Sequence, residues 1–111
     1  MTNSPNQEQF QEMFKTIQAQ LETVYDPEFP VIDIWTLGLI YDITINEDDN
    51  LILILMTFTT PQCPMGDLIK QMTINAIIEV YPDREVALEI TFDPLWNPTM
   101  IRDEDLQRMF E

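Results

Sequence analysis

At 111 residues the chain is long enough for one hydrophobic core and too short for two, and its 45% hydrophobic content separates it from a disordered acidic tail. Twenty Asp and Glu against five Lys and Arg leave a formal net charge of −15, which repels phosphate backbones and anionic headgroups, so neither nucleic acid nor a membrane surface is an expected partner and a cation or basic protein is. With no His, one Cys and only Gly38 and Gly66 as glycines, the chain offers no catalytic triad, Cys–His dyad, His zinc site, intrachain disulfide, four-thiolate metal site or Gly-rich nucleotide loop.

The first eight residues are polar and read as a flexible N-terminus, with a single domain over 9–111. Phe10, Phe14, Ile17, Leu21 and Val24 then recur every three or four positions, which lays an apolar stripe along a helix. That helix should stop near Tyr25, because Asp26 precedes Pro27 and a residue before proline avoids helical dihedrals; Pro30 prolongs an irregular stretch to about Trp35.

From Leu39 the period becomes two, with Tyr41, Ile43 and Ile45 on one face and Asp42, Thr44 and Asn46 on the other, as in a half-buried strand. Glu47–Asn50 reads as a turn. Leu51 to Met56 is an unbroken apolar run too short for an ordinary helix, expected to be a strand covered on both faces. A second helix follows from Met65, with Leu68, Met72, Ala76 and Val80 flanked by Ile69, Ile77 and Ile78, and ends at Tyr81–Pro82–Asp83. Val86, Leu88, Ile90 and Phe92 alternate with polar or small residues as a third strand, stopped by Asp93–Pro94. A short helix from Asp103 to Phe110 closes the chain. The order α-β-β-α-β predicts an α+β two-layer sandwich. In it, helices cover one face of a short, mixed three-stranded sheet, and the strands flanking the second helix run parallel.

Chemistry has one natural place in this plan, the segment Thr59–Thr60–Pro61–Gln62–Cys63–Pro64–Met65–Gly66 between a central strand and a helix. Pro64 at the first helical position would make Cys63 the N-cap, with its sulfur near unpaired backbone N–H groups that favour thiolate. Asp67 in the same turn and the net charge act the other way. Bound iron would favour thiolate. Gly66 leaves room for a ligand beside the sulfur. These residues also fit plain structural roles: Cys63 as a small buried apolar side chain, Asp26 and Glu28 as turn and cap residues, Asp93 and Trp96 as a strand stop and core edge.

Taken together, Asp26-Pro27-Glu28-x-Pro30, Leu37-Gly38-Leu39-Ile40-Tyr41, Thr57-x-Thr59-x-x-x-Cys63-Pro64 and Asp93-Pro94-x-Trp96 resemble the SufT/PaaD-like family of iron–sulfur cluster assembly proteins, to which the eukaryotic cytosolic iron–sulfur targeting factors are related. The resemblance runs from about Leu21 to about Phe110. It implies an α+β iron–sulfur assembly domain, cytoplasmic and without turnover of its own, that acts in assembling clusters or delivering them to client apoproteins. Cys63 matches the family's reactive cysteine, and so the expected transient ligand of iron or an iron–sulfur cluster, or thiol contact with a scaffold or carrier. Asp26 and Glu28 match its acidic motif, expected near that cysteine; Asp93, Pro94 and Trp96 match its carboxyl-terminal motif, and Thr60, Pro64 and Gly66 surround the thiol as supporting residues. The position before Leu37, often acidic or amide in the family, is Thr36 here, and no Cys follows Cys63, unlike the zinc-binding extension of PaaD-type proteins.

A cluster normally takes four ligands, mostly thiolates, and one chain supplies one. A homodimer would bring two Cys63 thiolates together, the rest coming from carboxylates, small thiols or a partner's cysteines. The competing expectation is an adaptor in metalloprotein or oxygenase maturation whose acidic surface docks a partner while Cys63 only caps a helix. A thiol enzyme or peroxide sensor would lack both a general base and a resolving cysteine.

Overall fold

The structure is a computed structural model that describes residues 5–27, 29–62 and 64–109. Helix α1 spans Pro5–Leu21, so helix already forms within the polar opening; proline is tolerated at a first helical position, where the N–H has no partner to lose. Its inward face is Met13, Ile17 and Leu21, continued by Val24, while Phe10 is 40% exposed. Phe10 and Phe14 instead form an aromatic run on the flank of the helix, and Phe14 meets Trp35 edge-on at 6.1 Å.

The stretch expected to be irregular is a small hairpin. Strands β1 (Tyr25–Asp26) and β2 (Phe29–Asp33) pair antiparallel, with Tyr25 opposite Asp33. Two prolines and a two-residue strand hide this hairpin from any periodicity argument. Asp33 then closes the following turn, accepting from the Thr36 amide and hydroxyl at 2.8 Å each.

Strands β3 (Ile40–Asn46) and β4 (Leu51–Met56) form the expected antiparallel hairpin, and β5 (Glu85–Ile90) runs parallel to β4 after helix α2 (Gly66–Val80). The result is a mixed three-stranded sheet in the order β3-β4-β5, an α+β fold as expected. Central strand β4 is not covered on both faces. Ile52, Ile54 and Met56 are fully buried, each stabilising the fold by roughly 1.5–3 kcal/mol, whereas Leu51, Leu53 and Leu55 are only half-buried.

The inward face of the second helix is rotated from the expected stripe of Leu68, Met72, Ala76 and Val80. Ile69, Thr73, Ala76 and Ile77 are buried while Leu68 is 45% exposed. Thr73 is tolerated there because its hydroxyl donates to the Ile69 carbonyl at 2.7 Å, which satisfies it within its own helix. A 3-10 turn (Pro98–Met100) and helix α3 (Glu104–Met109) finish the chain, α3 capped by Asp103, whose carboxylate accepts from the Asp105 and Leu106 amides.

Candidate functional site

Backbone hydrogen bonds bring the motif-bearing loops to one end of the sheet. The Thr57 amide donates to the Leu39 carbonyl at 2.8 Å, and the Thr91 amide to Met56 at 2.9 Å, so the segments before β3 and after β4 and β5 lie side by side. Leu39 in turn bonds to Ile34, and Ile34 to Val24, which links the β1–β2 hairpin to the same end. The sheet's carboxyl end thus gathers Leu37–Tyr41, the start of the Thr57–Gly66 loop and Asp93–Trp96, with Asp26 joined through the hairpin.

The individual residues are less uniform in what they do. Asp26 is 1% exposed on β1 and makes polar contacts that such burial demands of a carboxylate. Trp96 donates its indole N–H to the Leu37 carbonyl at 2.7 Å, which makes it a tie between segments. Thr60 accepts from the Gln62 amide at 3.3 Å and so shapes the loop. Asp93 is exposed and lines a hollow of about 550 Å³ with Tyr41, Leu55, Pro94, Met100 and Arg102. Glu28 and Cys63 lie outside the described residues. Among those described, no three His, Cys, Asp or Glu are grouped as a metal ion would need.

Two expectations about the loop change. Helix α2 begins at Gly66 with Met65 as its N-cap and no side-chain cap, so Pro64 is not its first residue and Cys63 is not the cap. Gly66 is buried, and a Cβ there would meet the Phe58 ring at 3.0 Å. Its missing side chain makes room for Phe58, not for a ligand, and Phe58 packs on against Phe92 at 6.2 Å. Met65, the cap residue, is 36% exposed.

Arg102 and Tyr41 were not singled out as site residues. Arg102 stacks over Trp35 at 4.3 Å, donates from Nε to the Trp35 carbonyl at 2.9 Å, and through its amide binds the Thr36 carbonyl at 2.8 Å. Tyr41 donates its hydroxyl to the Pro94 carbonyl at 2.7 Å. Burial holds the Tyr41 phenol above its ordinary value, partly opposed by a hydrogen bond with the Thr57 side chain. The signal available for Arg102 was scarcity, as one of five cations in an acidic chain; nothing in the sequence places it against Trp35.

Residues 15–88 match the model of the family described as iron–sulfur cluster assembly protein. The chain is 35% identical over 96 residues to an Fe-S protein maturation auxiliary factor of Porphyromonas gingivalis, covering 86% of this chain and 90% of that one. It is 36% identical over 90 residues to the Fe-S protein maturation auxiliary factor YitW of Bacillus subtilis, covering 81% and 82%. A third relative, SufT of Staphylococcus aureus, carries the same description at 32% identity over 78 residues, covering 70% and 86%. Among solved structures, a domain of unknown function from Bacillus anthracis superposes with a TM-score of 0.79 at 29% identity, covering 89% of this chain and 92% of that one. A conserved hypothetical protein from Thermotoga maritima does so with a TM-score of 0.72 at 35% identity, covering 86% and 91%. The α+β architecture and these matches together define an iron–sulfur assembly domain. The chain belongs to the iron–sulfur cluster assembly protein family and is SufT-like. No helix among the described residues is long and apolar enough to cross a membrane.

Proposed function

We propose that the protein is a non-enzymatic, cytoplasmic factor in the maturation of iron–sulfur proteins, with Cys63 as the transient ligand of iron or a cluster in transit, or as the thiol contact with a scaffold or carrier. The observation that carries this reading is the match to maturation auxiliary factors over most of the chain. The clustering of the motif segments at one end of the sheet supports it. The cluster is cargo, and a single cysteine makes the chain a partial holder whose remaining ligands come from a second copy or from the protein it meets.

A second reading is an adaptor that docks partners without touching the cluster. The start of α2 at Gly66 favours it, because the cap position expected for Cys63 is taken by Met65. Anaerobic capture from native cytoplasm, comparing wild type with Cys63→Ser, tests the functional proposal. Iron–sulfur proteins enriched by the wild type and lost with the variant support a thiol-dependent factor; equal enrichment supports the adaptor; no enrichment of iron–sulfur proteins contradicts both.

A further inference from the structure

The helices cover one face of the three-stranded sheet, and the other face has an unusual composition. The register aligns Leu51, Leu53 and Leu55 of β4 with Glu85, Ala87 and Glu89 of β5, and with Asn46, Thr44 and Asp42 of β3. The leucines are half-buried, while Asp42, Glu85 and Glu89 are exposed. A leucine stripe therefore runs along the middle of this face between carboxylates, and no cation stands among these nine residues. Leu55 at its end also lines the hollow of about 550 Å³ with Tyr41, Asp93, Pro94, Met100 and Arg102, so the stripe runs into the end of the sheet where the motifs gather.

We infer that this open sheet face docks a basic amphipathic segment of a partner protein, apolar side chains on the leucine stripe and Lys or Arg against Asp42, Glu85 and Glu89. An apolar strip left partly exposed on a central strand gains by being covered, and the flanking charge selects what covers it. A second copy fits poorly. Stacking this face on itself brings carboxylates together with no cation among the nine residues to relieve them, and Arg102 at the end of the stripe is engaged with Trp35, in a chain already at −15. The inference goes beyond the proposed maturation role and does not depend on Cys63.

The test uses the metal-free 111-residue chain carrying Cys63→Ser, so that a failed thiol mechanism leaves the result readable. Two helical peptides of about 18 residues share one leucine face, flanked by Lys in one and by Glu in the other. Binding is followed by fluorescence anisotropy and backbone amide shifts, and self-association by sedimentation. The Lys peptide should bind and move the amides of Leu51, Leu53, Leu55 and Ala87, while the Glu peptide should not bind. Leu53→Thr, which keeps strand propensity and leaves the core face intact, should weaken binding about tenfold. Glu85→Gln with Glu89→Gln should weaken it several-fold, whereas the equal charge change Glu12→Gln on α1 with Glu22→Gln just beyond it should not. The inference is overturned if the Lys peptide does not bind, if both peptides bind alike, if shifts map elsewhere or Leu53→Thr has no effect, if the α1 pair matters as much as the β5 pair, or if the free chain dimerises through the leucine stripe.

Discussion

The indole Nε1 of Trp96 donates to the backbone carbonyl of Leu37 across 2.7 Å, tying the segment that follows β5 to the turn that leads into β3. Those residues are 59 positions apart, and the bond holds in place the end of the sheet at which the family's motifs meet.

Trp96→Phe keeps most of the ring packing and removes only that donor. Leaving a buried carbonyl without its partner costs about 1–3 kcal/mol, so the urea midpoint should fall while the slope of the transition stays unchanged. An unaltered midpoint would mean that the carbonyl is satisfied another way.

Gly38 stands next to that carbonyl with φ +85°, and a Cβ there would run into the carbonyl oxygen of Met100. Both the left-handed backbone and the backbone contact oppose any side chain. Gly38→Ala should lose about 2 kcal/mol or more by chemical denaturation, and because the obstacle is backbone, truncating the Met100 side chain should not restore it.

Gly66 gives a contrasting case, since the atom a new Cβ would meet belongs to the side chain of Phe58. Gly66→Ala gains up to about 1 kcal/mol of helix propensity and loses packing against the ring, so it should destabilise or be neutral. In a Phe58→Leu background the same change should stabilise. A double-mutant cycle measures the coupling directly; additive effects would mean that the Phe58 ring does not oppose a side chain at position 66.

The long elements were legible because one repeating physical demand shaped each of them. The stripe through Ile17 and Leu21, the alternation through β3 and β5 and the turn at Glu47–Asn50 each state their period over several residues. The β1–β2 hairpin was not legible, because Pro27 and Pro30 interrupt a pairing too short to have a period. Leu51, Leu53 and Leu55 misled for another reason: an apolar residue says only that burial is favourable, and on this sheet nothing within the described residues covers that face fully. At the site, the break between β4 and α2 was legible but the capping geometry was not, and Cys63 itself lies outside the described residues. Proline is enriched at the first helical position without being confined to it, and here α2 begins two residues later, at Gly66 beside Phe58. Arg102 on Trp35 is a tertiary contact between segments 67 residues apart, and no local pattern encodes it.

Tyr41 supplies a pH dependence. Burial raises its phenol above the ordinary value of 10.0, outweighing the opposing hydrogen bond with Thr57. The folded state therefore holds the proton more tightly than the unfolded chain does. Its contribution is fully present below the unfolded value and is lost as pH rises from there through the folded value. Stability should fall above about pH 10 in the wild type and fall less steeply in Tyr41→Phe, as followed by denaturant midpoints with ultraviolet absorbance reporting the phenolate.

The proposal that Cys63 handles iron–sulfur cargo is tested most directly by anaerobic titration with iron and sulfide, read by absorbance in the thiolate-to-iron charge-transfer region. Wild type should develop a weakly held chromophore that a competing thiol or chelator removes, and Cys63→Ser should develop none. A chromophore of equal intensity in the variant, or none in the wild type with or without a second thiol source, would contradict the role of that sulfur as a ligand.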